Sequence, residues 1–438
     1  MVKIRPFRGY RYNGEKVDIG KAIFPPYELA SRQFRNIFLE MSGCNVIRIM
    51  LGSERLGKAG RYKHSARLLS SWIRKGYLKR DGSPCIYVYS QEFKINGNKK
   101  ERTGFISLVE LEKLGRNIVP HELTFHDQIV DMGAILKSTR ANLGPVFSIY
   151  SDPAKSIESM LEKIKRERKP EMEAFTGYEG VRHRVWAVKD GKIINHIAHE
   201  MKNKKLLIAD GHHRYNISFE YSRKHPDDEK AKYISMMMVN MENEGVVILP
   251  THRLVKGIKN FSREKFTSSL ERNFEIKAIE FMGKNGKEKL KGLLRKISIM
   301  DWRNFGMYLG GRKFYILKLK NESAMNVAKN HSKSWKRFAV NVLHKLVIEG
   351  ILGIGTSKID GHHNVEYVKD IRRNAETCVK RVKNGECQIA FFMSPAKMED
   401  VREICRSGEV MPQKSTCFYP KVYSGVVIYK FENGERNF

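Results

Sequence analysis

Apolar positions along the chain change their spacing several times, and each change marks an element. "IRPFRGYRY" (4–12) is strand-like, and it leads to "FPPYELASRQF" (24–34), where two prolines force an extended approach to a helix. "HSARLLSSWIRKGYL" (64–78) carries apolar residues at helical spacing and stops at Gly76. "PCIYVYSQEF" (84–93) and "TGFISLVEL" (103–111), joined by the turn "NGNKK", read as a β-hairpin. In "DQIVDMGAILKSTR" (127–140), Ile129, Met132 and Leu136 share one helical face, and "GPVFSIY" (144–150) is a further strand. Residues 152–170 read as a charged helix bridging two lobes. "HRVWAVKD", "KLLIAD", "YISMMMVNM" and "VVILPTHRL" follow as strands with helices between them, before a basic, irregular stretch at 255–335. "ILGIGTSKIDGHHNVEYV", "CQIAFFM" and "GVVIYKF" are the last strand candidates.

Strands and helices mix without strict βαβ alternation. The expected fold is therefore α+β (mixed α/β), in two lobes with mixed sheets. The boundaries expected are an N-terminal α+β lobe at 1–152, a central lobe at 153–254 and a C-terminal α+β region at 255–438 that closes the cleft with "MPQKST". A length of 438 residues suits about two to three domains, and 41% hydrophobic residues supply the cores. Charge changes the picture more. The formal net charge is +33, from 81 basic and 48 acidic residues, which points to acidic partners such as nucleotides or phosphorylated metabolites. The plainer account scatters those charges over a solvated surface. No arginine-glycine tract or basic tail is present, so nucleic acid is not the favoured partner. Six dispersed cysteines, no apolar N-terminal core and no apolar run near the ~20 residues of a membrane span lead to the expectation of a soluble, cytoplasmic protein with reduced thiols and no membrane partner. Oligomeric state stays open.

The candidate chemistry is densest in "KLLIADGHHRYNISFEYSRKH" (205–225). "KLLIA" has the character of a buried strand, and Tyr215 with Phe219, and Ile217 with Tyr221, then stand at i,i+4 spacing. Asp210, Gly211, His212, His213 and Arg214 therefore fall at a strand-to-helix corner. Helix-start N–H groups are unsatisfied and the helix dipole favours an anion there. Gly211 permits close approach, Arg214 offers a bidentate fork, and His212 and His213 can donate to phosphate or carry a proton. The competing account is an ordinary helix capped by Asp210.

Other polar clusters sit at element boundaries. In "VPHELTFHDQIVD" (119–131), His121 and Glu122 suit a general base or a metal ligand, or simply a helix start capped by Thr124 or Asp127. In "MPQKSTCFYPKVYSG" (411–425) the Walker glycines are missing, yet Lys414, Ser415, Thr416 and Lys421 suit a phosphate or a carboxylate. His252 and Arg253 end the strand "VVILP", where side chains can enter a cleft. Asp360 to His363 repeat the DGHH pattern without an arginine, which fits a coincidence of turn chemistry better than a second anion site.

Taken together, "RPFRG", "PPYE", "YVYSQEF", "PHELT", "ADGHHRY", "THRL" and "MPQKSTCFYPKVYSG" resemble, nearly end to end, the archaeal and bacterial family known as domain of unknown function 1015. That resemblance implies no reaction. "ADGHHRY" (209–215) is also similar to the signature corner of the ParB/sulfiredoxin superfamily, which includes CTP-binding partition proteins, sulfiredoxins and free-serine kinases. This implies a strand–corner–helix element at 205–222 with phosphate at Gly211, His212, His213 and Arg214. Sulfiredoxin's cysteine position is held here by His212, which speaks against sulfinic acid repair. The kinases' carboxylate base would be Glu122 or Asp210.

The resulting expectation is a nucleotide-dependent phosphotransferase acting on a small polar metabolite, such as the hydroxy amino acid serine. Glu122, Asp210, His212 and His121 would be catalytic. Gly211, His213, Arg214, Lys414, Ser415, Thr416, Lys421, His252 and Arg253 would hold ATP or ADP, and Asp210 with Glu122 would hold magnesium. These groups are expected to share one cleft. The alternatives are a metal-dependent phosphohydrolase using His121, Glu122, Asp210, His212 and His252, and a non-enzymatic nucleotide-binding regulator.

Overall fold

Residues 1–120, 124–247 and 420–438 gather into one unit, and 121–123 with 248–419 form a second. The structure is a computed structural model that describes residues 1–26, 32–52, 56–95, 97–122, 129–283, 285–355, 364–371 and 374–431.

The first unit is organised by a mixed sheet of nine strands among the described residues. Its centre is the expected hairpin, Ile86–Ile95 against Asn98–Glu110. Across the sheet the order is Ile118–Pro120, Leu206–Asp210, Val146–Tyr150, Tyr233–Asn240, Asn98–Glu110, Ile86–Ile95, Val181–Val188, Met172–Thr176, and the ninth strand, Ile4–Arg5, pairs off this path with Asn98–Glu110. Leu206–Asp210 runs parallel to Ile118–Pro120, and Tyr233–Asn240 runs parallel to Val146–Tyr150. "YISMMMV" and "LLIAD" are buried along their whole length, as continuous apolar runs predict for strands covered on both faces. Strands from 1–152 and from 153–254 alternate across this sheet, so the boundary expected at 152/153 falls inside it. Ser156–Glu167 does not bridge two lobes. Its Ile157, Leu161 and Ile164 stripe packs into this unit's core, leaving the charges outside.

The second unit holds a six-stranded antiparallel sheet in the order Phe274–Glu280, Lys313–Leu319, Asn304–Tyr308, Ile389–Phe392, Thr251–Val255, Val365–Lys369. Helices Gly286–Ile299 and Asn374–Lys383 bury Leu290, Leu293, Ile297, Cys378 and Val382 against it. The stretch 255–335 is thus regular, against expectation. Its strand Phe274–Glu280 exposes several charged positions at a sheet edge, and lysines on solvent-facing sites mask the apolar period. "VVILPTHRL" divides into Val247–Leu249 and Thr251–Val255 at Pro250, which has no N–H for a ladder. Of "ILGIGTSKIDGHHNVEYV", the strand is Val365–Lys369; Asp360 to His363 lie outside the described residues, as do Thr124 and Asp127.

Candidate functional site

Two groups of polar side chains stand out, one in each unit. In the first unit, Leu206–Asp210 is entirely buried and its register against Val146–Tyr150 shifts between Ile208 and Asp210. Gly211 then takes φ 91°, the left-handed turn that releases helix His212–Lys224. Its N-cap residue, Gly211, has no side chain with which to cap it. The expected strand–corner–helix is present, with His212 and His213 both buried at its start.

Asp210 is gripped from two sides. Lys421 Nζ donates to Oδ1 at 2.6 Å and Arg214 Nη2 donates to Oδ2 at 3.2 Å. Arg214 Nη1 also donates to the carbonyls of Gly144 and Pro145, at 3.2 and 2.6 Å. The guanidinium folds back over Gly211, where an added Cβ would meet Nη2 at 2.7 Å. Lys421 is 3% exposed, and its carbonyl accepts from Gln91 Nε2 at 2.8 Å. Fully buried Arg102 donates to Gln91 Oε1 and to the Pro420 carbonyl beside it. Two cations thus share one carboxylate, and a third cation, the Arg102 guanidinium, holds the backbone next to Lys421. Beside Arg214, a cavity of about 250 Å³ is walled by Met50, Ile135, Leu136, Leu143 and Ile217, with Arg61, Asp131 and Asn142 at its polar part. Arg61 and Asp131 pair at 3.2 Å.

In the second unit, His121 and Thr416 come together, Nε2 to Oγ1 at 2.6 Å. Met411 N–H donates to the His121 carbonyl at 2.9 Å, and Glu122 bridges Met411 in parallel. His121 and Glu122 therefore lie against Met411 and Thr416 of "MPQKST". Glu122 Oε2 lies 3.7 Å from His121 Nε2 and has no hydrogen-bond partner among the described residues. The hydroxyls of the Lys-Ser-Thr run are engaged within the fold: Ser415 Oγ donates to the Pro412 carbonyl at 2.6 Å, and Thr416 meets His121. Lys414 sits at φ 55° and its carbonyl accepts from Arg253 Nη2 at 3.3 Å.

His252 and Arg253 part company. Successive strand residues point to opposite faces. His252 packs on Phe392, its Nδ1 accepts from Met393 N–H at 3.3 Å, and its Nε2 is 3.7 Å from Asp370. That environment holds the Asp370 carboxyl below its usual range: burial acts to raise it, and His252 with helix-start N–H groups outweighs burial. Arg253 instead lies over the Tyr367 ring.

Residues 4–342 match the family described as "Protein of unknown function (DUF1015)". The chain belongs to that family. The matched stretch includes "PHELT", "ADGHHRY" and "THRL", and it ends before "MPQKST". No curated protein matches this DUF1015 member. Solved structures similar to it include a conserved hypothetical protein from Pyrococcus furiosus (16% identity, TM-score 0.33, 74% of this chain and 95% of that one). A free serine kinase in complex with AMP gives 16% identity and TM-score 0.30, over 70% of this chain and 89% of that one. SbnI from Staphylococcus aureus, with a C-terminal truncation, gives 10% and 0.34, over 72% and 84%. Likeness at these values carries no argument about the ligands of the DUF1015 chain.

Three outcomes revise the sequence reading. The candidate Lys421 belongs with Asp210 in the first unit, whereas Lys414, Ser415 and Thr416 of the same motif belong to the second. Asp210 is expected as a magnesium ligand or a base, and each of its carboxylate oxygens already takes a cation that competes with either role. Among the described residues no three His, Cys, Asp or Glu side chains are placed to hold a metal ion, so the phosphohydrolase lacks its ligand set there. Gln91, Arg102 and the cavity by Arg61 were not foreseen; each depends on strands and helices distant in sequence. Among the described residues, no helix is long and apolar enough to cross a membrane.

Proposed function

We propose that the chain is a nucleotide-dependent phosphotransferase, with nucleotide phosphate held at Asp210–Arg214 and a small polar metabolite as acceptor, serine being the first to test. The observation that supports this reading is the shared carboxylate. Lys421 and Arg214 divide Asp210 between them, which sets two cationic groups at the start of helix His212–Lys224. An anion there is stabilised by the dipole and by those groups.

In this reading Asp210 organises the corner: it fixes the ammonium of Lys421 and the guanidinium of Arg214. His212 and His213, opening the helix, donate to the phosphate. The work is mainly electrostatic, as phosphoryl transfer requires. The apolar wall of the neighbouring cavity suits the flat face of a base. Magnesium, when bound with the nucleotide, would offset phosphate charge.

The test has two stages. ATP, ADP and CTP are screened by thermal shift, where a nucleotide at ~100 times its Kd adds about 2.7 kcal/mol to the folded state. Turnover is then followed with and without serine and other hydroxy acids. Acceptor-dependent turnover supports the kinase. Binding without such turnover makes the chain a regulator, and no shift with any nucleotide removes the proposal.

A further inference from the structure

Arg253 is fully buried, yet no carboxylate hydrogen-bonds it among the described residues. Nη1 donates to the Thr251 carbonyl and Nη2 to the Lys414 carbonyl, while Nε has no partner. Thr251 lies two positions back, on the same strand face, and its Oγ1 is also buried without a partner. His344 is 5% exposed in the π-helical segment Leu343–Glu349, and its Nε2 is likewise unpaired among the described residues. Such segments recur at functional sites. Burial, with Arg253's charge adding to it, pushes His344 down to about 3, so its ring is neutral. Glu122 bridges Met411, three residues before the Lys414 carbonyl that Arg253 holds, and acts on the charge of Arg253; its buried Oε2 is also unpaired among the described residues. Folded chains leave few buried polar atoms unpaired, and four in one neighbourhood ask for a common partner.

The donors and acceptors define that partner. Arg253 offers N–H, Thr251 either role, Glu122 only acceptance. We infer that the second unit binds a small oxyanion that brings a hydrogen-bond donor of its own, its oxygens on Arg253 and Thr251 and its donor on Glu122. Simple carboxylates supply the first half of that description. A hydroxy acid or hydrogen phosphate supplies both. The inference goes beyond the phosphotransfer reading and does not depend on it: every residue it uses belongs to the second unit.

Binding is therefore measured without nucleotide. Glycolate, acetate and inorganic phosphate are titrated into the full chain by calorimetry, alongside Arg253→Met, Thr251→Val and Glu122→Gln, with circular dichroism as the check on folding. Glycolate should bind about tenfold or more tightly than acetate, since acetate leaves Glu122 unpaired. Arg253→Met should abolish glycolate binding; where it folds, it does so at the cost of leaving the Thr251 and Lys414 carbonyls unpaired. Glu122→Gln should shrink the gap between glycolate and acetate. Phosphate binding ahead of glycolate retains the site and makes its ligand tetrahedral. If Arg253→Met does not fold, Thr251→Val and Glu122→Gln decide by the same ratio. Equal affinities for glycolate and acetate in the parent, or no binding of any of the three, overturn the inference. Should nucleotide binding survive that outcome, only this inference fails; loss of nucleotide binding with glycolate binding intact sinks the phosphotransfer reading instead.

Discussion

Arg214 holds the Asp210 carboxylate and the carbonyls of Gly144 and Pro145 with one guanidinium. A lysine has no planar fork and cannot reach all three. Arg214→Lys should therefore cost about 2 kcal/mol of stability, in the range of hydrogen bonds to charged groups, as well as weakening any phosphate contact. Urea unfolding measures it, and an unchanged midpoint would show that the carbonyl contacts contribute nothing. His183 gives a pH prediction. It is fully buried, with Nδ1 2.7 Å from the Tyr89 hydroxyl and Nε2 3.0 Å from Thr176 Oγ1. Burial, and then Arg102's charge, pushes it down to about 3 from 6.5. Between those values the unfolded chain binds a proton that the folded chain refuses, so stability rises with pH across that window. The contribution is whole above about pH 6.5 and is lost as pH falls toward 3. His183→Gln should flatten the melting temperature between pH 6.5 and 4; a slope equal to the parent's would mean His183 titrates normally.

At the scale of elements, the strand–corner–helix at 206–224 was legible because its parts are local: an apolar run, a glycine and i,i+4 aromatic spacing. Gly211→Ala tests the corner. Its φ of 91° costs a side chain about 1–2 kcal/mol, and the Cβ would strike the Arg214 guanidinium. The variant should melt lower and bind nucleotide poorly, measured by thermal shift with and without ADP. A parental response to ADP would mean the corner's geometry is irrelevant to the ligand. What could not be read was side-chain direction and distant pairing. "THR" promised two cleft residues, but strand alternation sends His252 into an apolar layer and Arg253 to the other face. Lys414 and Lys421 look equivalent in sequence, and only the return of the chain into the first unit gives Lys421 to Asp210.

At the scale of the whole molecule, the last segment is built into the first unit although the second unit precedes it. Val426, Val427, Ile428 and Tyr429 are fully buried; Ile428 bridges Tyr10 and Tyr429–Lys430 pairs with Ala141–Asn142. A stop after Tyr419 should therefore unfold the first unit, exposing its core and freeing Asp210 from Lys421. Limited proteolysis should then cut within 1–247 much faster than in the parent, and equal cutting rates would contradict this account of the core. The mixed α/β class could be anticipated from the run of elements. The division could not, because composition does not reveal that strands from 1–152 and 153–254 interleave. The claim on which the rest depends is that the 210–214 corner takes nucleotide phosphate. Calorimetric titration of ADP into the parent chain and into His213→Ala, with matched circular dichroism spectra, tests it most directly. The account predicts saturable binding by the parent and about tenfold or more weaker binding by the variant, as for loss of one charge-assisted hydrogen bond. Equal affinity in the two chains, or no binding by the parent, would contradict it.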